Sequence, residues 1–240
     1  MGLILSHRHT EKDLFILKDY EEIDRISICP KKKIDYAKNI IKIFIDKHPE
    51  STIYTSWGKD SVVLLYLCSE LKLKNNVVYV RLYDRDNPDC DNVKKIFLDR
   101  YDINYNEEFF NYDEVKNNDG HWKYCSKKYG SSRITGIRSD ESNKRLLIWK
   151  KYGFYTELTC RPLSLFTNQD IFSFIYHNDL PLCAVYGYTG GGRWDRQYIR
   201  THSIGGSTAD GIGRTEWEKE YYQDILNRIK FKNYYKKKDL

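Results

Sequence analysis

The stretch that most constrains this chain is 51–71, where a short β-branched segment, Ser51 to Thr55, runs through a tight polar loop into a very apolar helix. The loop reads Ser56-Trp57-Gly58-Lys59-Asp60-Ser61, and the helix, Ser61 to Leu71, contains Val62-Val63-Leu64-Leu65-Tyr66-Leu67. Strand, loop and helix in that order predict the opening of a βαβ unit, and therefore a parallel sheet. Backbone amides converge where such a helix begins, and its dipole favours an anion there. Gly58 lets the main chain approach a phosphate where a Cβ would obstruct it. Lys59 adds a point charge, and Ser56 and Ser61 add hydroxyls. Asp60 would repel phosphate unless it held a cation, so it is assigned either to Mg²⁺ or to bracing the loop. The G-x-x-x-x-G-K-[ST] spacing of a Walker loop is absent. Trp57 is expected to stiffen the loop with φ confined to negative values, its ring stacking on a substrate base or closing the site from water.

The rest of the chain continues the alternation. Helical spacing of apolar residues runs from Ile34 to Lys47 and stops at Pro49. Val77 to Leu82 is nearly continuous in apolar residues, as a strand buried on both faces requires. A helix over Cys90 to Tyr101, a strand near Ile103 to Tyr105, strands at Ser132 to Ile137 and Phe154 to Cys160, and a helix over Asn168 to His177 complete the pattern. The expected fold is α/β: a doubly wound, mostly parallel five-stranded sheet of Rossmann-like type, with right-handed crossovers. Segment 111–130 is polar and contains glycine, which predicts a loop at the site. From Gly187 glycines alternate with Arg193, Arg196, Arg200 and Arg214, predicting an irregular, mobile segment before a final helix from Thr215 to about Lys230. The predicted organisation is an N-terminal arm (1–30), a nucleotide-binding α/β domain (31–186) and a C-terminal appendage (187–240).

Net charge is +6, a mild bias compatible with phosphate-bearing ligands. No apolar run approaches the roughly 18 residues of a membrane span, so no membrane partner is expected. Six cysteines lie far apart with no C-x-x-C pair, which predicts free thiols in a reducing cytoplasm, without zinc or an iron–sulfur cluster. A homodimer is compatible with the sequence. Nucleic acid is a candidate partner through Arg193 to Arg200 and the tail Tyr234 to Lys238, which interleave bases and aromatics, although a charged face and a solvated tail are the preferred reading.

Four ordered blocks resemble the phosphoadenosine phosphosulfate (PAPS) reductase family of N-type ATP pyrophosphatases. The first is Ser-x-Gly-Lys-Asp-Ser, with Trp57 where a second glycine is usual. Asp84 and Pro88-Asp89 resemble the family's acidic turn after the second strand, whose backbone meets adenine near Leu82. Gly136-Ile137-Arg138, with Glu141-Ser142 and Arg145, resembles the second signature. Arg161-Pro162-Leu163, Phe166 to Ile171 and Leu180-Pro181 resemble the third. The resemblance spans about 35–188 and implies an adenine nucleotide such as ATP, held with Mg²⁺. It implies that Arg138 binds a second anionic group, with Arg145 and Arg161 as helpers. By placement alone, Arg145 is as well explained by a surface ion pair.

The C-terminal Glu-Cys-Gly-Leu-His of the family's reductases is missing, and no cysteine follows Cys183. Sulfonate transfer needs a thiolate, so the resemblance implies nucleotide binding more strongly than reduction. Cys125, beside Lys123, Lys127 and Lys128, is the one loop thiol whose pKa such neighbours would lower, and a plain surface thiol is the preferred reading. The expected chemistry is cleavage of ATP between the α and β phosphates to adenylate an acceptor. Lys59, Asp60 and Arg138 are the expected catalytic residues. A sulfonucleotide reductase with an atypical thiol and a non-catalytic nucleotide sensor are the alternatives.

Overall fold

A computed structural model gives the fold, describing residues 2–83, 85–111, 120–201, 203–205 and 214–236, with side chains through 230. Five parallel strands form one sheet: β1 (Thr52–Thr55), β2 (Asn76–Leu82), β3 (Asn104–Phe110), β4 (Arg133–Thr135) and β5 (Thr159–Cys160). Their spatial order is β3-β2-β1-β4-β5, so the winding reverses between β1 and β4. In doubly wound sheets that reversal opens a crevice at the carboxyl ends of the two strands. Here it is bounded by the loop after β1 and by Gly136 after β4.

The helices are α1 (Glu11–Ile26), α2 (Lys31–Lys47), α3 (Lys59–Glu70), α4 (Asp89–Arg100), α5 (Gly120–Tyr129), α6 (Asn143–Tyr152), α7 (Asn168–His177), α8 (Arg214–Tyr221) and α9 (Gln223–Lys236). α3 is apolar on nearly every side because it is enclosed on nearly every side: Val62, Val63, Leu64, Leu65 and Leu67 are all fully buried. α7 packs against α3 and α1. Its start is fixed by a capping box in which Thr167 and Asp170 satisfy each other's backbone amides. β3 is the polar edge strand, with only Glu108 of its residues buried. No helix among the described residues is long and apolar enough to cross a membrane.

Four expectations need correction. The polar segment 111–130 is not all loop: 120–129 is α5, whose His121 and Cys125 are buried. Polar residues outnumber apolar ones there because one helical face alone needs covering. Residues 112–119 of that segment lie outside the described residues. The final helix is two helices with a break at Tyr222, whose ring is fully buried and whose hydroxyl donates to Asp89. The N-terminal arm contains a full helix, α1, started by a Thr10–Asp13 capping box.

The fourth correction concerns 187–201, which is irregular but firmly held. Tyr188, Thr189, Trp194, Arg196 and Ile199 are buried. Asp13 of α1 accepts from the amides of Thr189 (2.9 Å) and Gly191 (3.4 Å) and from the Tyr221 hydroxyl (3.0 Å). Asp24 of α1 receives a buried two-pronged bond from Arg196, at 2.8 and 2.5 Å. Trp194 and Arg196 thus serve the interior, whereas Arg193 and Arg200 are exposed. Of the proposed basic tail, no side chain lies within the described residues.

Candidate active site

The crevice between β1 and β4 widens into an open cleft of about 930 Å³. On its sheet side are Ser56, Gly58, Asp60, Ser61, Thr135 and Gly136. The loop is folded on itself: Ser56 N donates to Ser61 Oγ at 3.1 Å, and Lys59 N donates to the Tyr186 hydroxyl at 3.1 Å. Val62 N already bonds Gly58 O, whereas helix geometry leaves the Asp60 and Ser61 amides without an intrahelical partner. The positive end of α3 therefore opens onto the cleft. A Cβ on Gly58 would come within 2.6 Å of Thr201 Oγ1, and one on Gly136 within 3.0 Å of the Asp60 carbonyl. Gly58 makes room for side-chain hydroxyls and Gly136 for the backbone of Asp60 and Ser61.

Two of the residues expected to face a ligand, Lys59 and Arg138, lie behind the loop instead. Lys59 is 2% exposed, bonds Asp60 Oδ2 at 2.9 Å and lies over the Phe172 and Tyr186 rings. Arg138 is 1% exposed, and its guanidinium is turned to protein oxygens: Nε to Asp60 Oδ1 (2.5 Å), Nη1 to Asp140 (2.5 Å) and to Phe166 O, Nη2 to Asn168 (2.8 Å). It meets carboxylates, and its expected contact with a second anion is not the one this geometry gives. Burial works against charge on Asp60, but Lys59 and Arg138 outweigh it and hold the carboxyl below its usual range. With a cation on each oxygen, Asp60 does not fit the role of a Mg²⁺ ligand; it is the brace that ties β1, β4 and α7 together. This bears on Asp60 alone.

Trp57 departs furthest from expectation. Its φ is +56°, left-handed rather than negative, so it occupies the backbone region its glycine counterpart would favour. Its ring is fully buried, packed against Phe97 and Tyr105, and Nε1 donates to the Tyr105 hydroxyl. The indole anchors the loop to β3 and α4, and neither stacks on a ligand nor closes the cleft. Leu82 is partly buried and lies off the cleft, where Tyr79 and Val80 take the place expected for it. Asp84 lies outside the described residues.

The free end of the cleft is cationic. Arg145 lines it, ion-paired with Glu141 from the turn before α6. Arg145 is pulled below its usual pKa first by burial and then by the charge of Arg200. Arg200 also bonds Glu141 O (3.2 Å), and Arg214 bonds Arg200 O (3.3 Å) while lying over Trp217. Arg200 and Arg214 stood in the glycine–arginine stretch but carried no sequence signal for this site. Tyr186 and Trp122 carried none either. All six cysteines are buried, and burial pushes Cys125 up to about 11, opposite to the lowering expected from its lysines.

A doubly wound sheet with an anion-receiving helix start at its switch point defines a nucleotide-binding α/β protein of Rossmann-like type. The phosphoadenosine phosphosulfate reductase domain matches residues 50–211, about two-thirds of the chain, and the chain belongs to that family. Among solved structures, FMN adenylyltransferase of Candida glabrata in complex with ATP is similar at 16% identity and TM-score 0.52, over 76% of this chain and 70% of that one. The same enzyme with FMN and the ATP analogue AMPCPP gives 17% identity and 0.51, over 74% and 68%. At these identities the likeness is one of fold. No curated protein matches by sequence.

Proposed function

We propose that this chain binds ATP in the β1–β4 crevice and cleaves it between the α and β phosphates. In this reading an acceptor oxygen attacks the α-phosphorus, pyrophosphate leaves, and AMP is later displaced from the acceptor by sulfur or an amine. The observation that carries it is the first turn of α3 opening between Ser56 and Ser61 onto a cleft that bears Arg145 and Arg200. Helix amides and arginine forks stabilise the charge that develops on departing pyrophosphate. Family membership and the ATP complexes of the fold neighbours support the nucleotide. Asp60, Lys59 and Arg138 act here as positioning residues that hold the loop, while Ser56, Ser61 and Arg145 touch the nucleotide.

The buried thiols speak against the sulfonucleotide-reductase alternative. Calorimetry with ATP, followed by a pyrophosphate-release assay, tests the reading. Wild type should bind, and Arg145→Ala should lose about 1–3 kcal/mol of affinity, the size of a charge-assisted contact. A wild-type protein that fails to bind ATP refutes the proposal. Binding without pyrophosphate release across a panel of acceptors would favour a nucleotide sensor.

A further inference from the structure

The sheet continues past the cleft, from β4 to β5. Strand register places Tyr54 beside Thr135, and both line the cleft. It also pairs Arg133 with Thr159 and Ile134 with Cys160, which sets Arg161 in line with Thr135 just beyond β5. Arg133, two residues before Thr135, shares its sheet face, since side chains alternate along a strand. Arg161 and Arg133 thus stand beside Tyr54 and Thr135 on the sheet, next to the cleft; neither arginine lines the cleft itself.

These two arginines are unusual in their pairing. The Arg133 Nε donates to the Thr159 hydroxyl at 3.3 Å, and its guanidinium lies 5.0 Å from the centre of the Trp122 ring. Trp122 lines the cleft and also touches Tyr54. The Arg161 Nη1 is buried and has no hydrogen-bond partner. Among the described residues neither guanidinium meets a carboxylate. Burial lowers the Arg161 pKa first, and the proximity of Arg133 lowers it further. Arg138 stands in contrast, with two carboxylates and an amide oxygen around one buried guanidinium. A partly buried pair of like charges with an orphaned donor calls for an anion to complete it.

We propose that Arg133 and Arg161 form a second oxyanion subsite, which receives a phosphate group carried by the acceptor while ATP occupies the loop. This rests on the adenylyl-transfer reading of the cleft. Arginine forks match phosphate oxygens in pairs, and the Trp122 ring beside Arg133 supplies an apolar wall for the body of the acceptor. The subsite would select among acceptors by their charge at one end.

The test uses the whole chain with inorganic phosphate, and with methyl phosphate standing for a phosphate on an organic acceptor. Each is titrated at ionic strength held constant with chloride, reading the thermal midpoint. Both should raise the midpoint of wild type and of Arg145→Gln. In Arg133→Gln and Arg161→Gln the apparent affinity should fall about tenfold or more, as for a lost charge-assisted contact. Without phosphate, Arg161→Gln should melt no lower than wild type, because it relieves like-charge repulsion. A lower melting point there would mean that Arg161 holds an internal carboxylate, and would overturn the subsite. So would a midpoint indifferent to methyl phosphate, or an equal phosphate response in wild type and both variants. ATP calorimetry on the same proteins separates the two ideas: Arg161→Gln should bind ATP as wild type does, and a wild type that binds phosphate but not ATP sinks only the nucleotide reading.

Discussion

The two walls of the cleft are built on different principles. The sheet wall, from Thr55 to Ser61 and from Thr135 to Gly136, is made by short-range turns between a strand and the helix or loop that follows. The facing wall joins Arg214 and Trp217 of α8 to the stretch from Trp194 to Thr201, which has no regular structure of its own. It stands because distant groups hold it: Asp13 grips Thr189, Gly191 and Tyr221, and Asp24 grips Arg196. One wall is local and the other is held from across the sequence. A buried carboxylate with several donors therefore replaces secondary structure as the thing that fixes a binding surface.

Removing the Asp13 carboxylate should break the contrast most sharply. Asp13→Ala leaves several buried donors unpaired at once and should destabilise the chain by about 3–5 kcal/mol, the scale of a broken buried network. Hydrogen exchange should show the loss first in 187–201. The same group predicts an acid limb. Burial pushes the Asp13 carboxyl up, but bonds from Thr10, Tyr221 and Gly191 outweigh it and hold the pKa below its usual value. A depressed folded pKa contributes stability above the unfolded value of about 3.9 and loses it as pH falls through the folded one. Wild type should therefore lose stability below about pH 4 with a slope that Asp13→Asn lacks.

On the sheet wall, Arg138→Lys keeps the charge but cannot reach Asp60, Asp140 and Asn168 together. It should cost about 3 kcal/mol, and Arg138→Ala more, measured by denaturant unfolding. A lysine variant as stable as wild type would show that the fork is unimportant to the brace. For Trp57→Gly two effects oppose each other. Glycine relieves the left-handed backbone by about 1 kcal/mol, whereas deleting a fully buried indole costs about 3–5 kcal/mol. The cavity wins, and a net loss of about 2–4 kcal/mol is expected. A neutral result would mean that the loop collapses onto Phe97. The smallest effect should come from Cys125→Ala: about 1 kcal/mol of stability, with ATP turnover unchanged. A loss of turnover would return the thiol to the chemistry.

Much of this was legible in the sequence because its causes are local. The polar loop between Thr55 and an apolar helix, and the apolar run at Val77, fix β1, α3 and β2 through neighbours a few residues away. β4 and β5 were legible in place but read too long, since β5 is only Thr159–Cys160, paired with Arg133 and Ile134 of β4. What escaped was set by distant partners. Nothing near Arg138 announces that Asp60, 78 positions away, will claim its Nε. Nothing near Trp57 announces that Phe97 and Tyr105 will bury its ring. Residue type identified charge correctly and direction poorly: Lys59 and Arg138 are at the loop but turned inward, while Arg200 reaches the cleft from a segment read as mobile.

The Arg8 guanidinium, finally, bonds the Tyr221 carbonyl (2.6 Å) and the Asp224 carboxylate (2.7 Å) across 213 and 216 positions. Contacts of such separation slow folding, because the chain must close its largest loop before they reward it. On a ribosome the sheet wall would exist long before its counterpart. The cleft is then the last feature to form, and ATP affinity measured during refolding should appear only in the slowest phase, serving as a clock for the docking of the Arg8 segment onto α8 and α9.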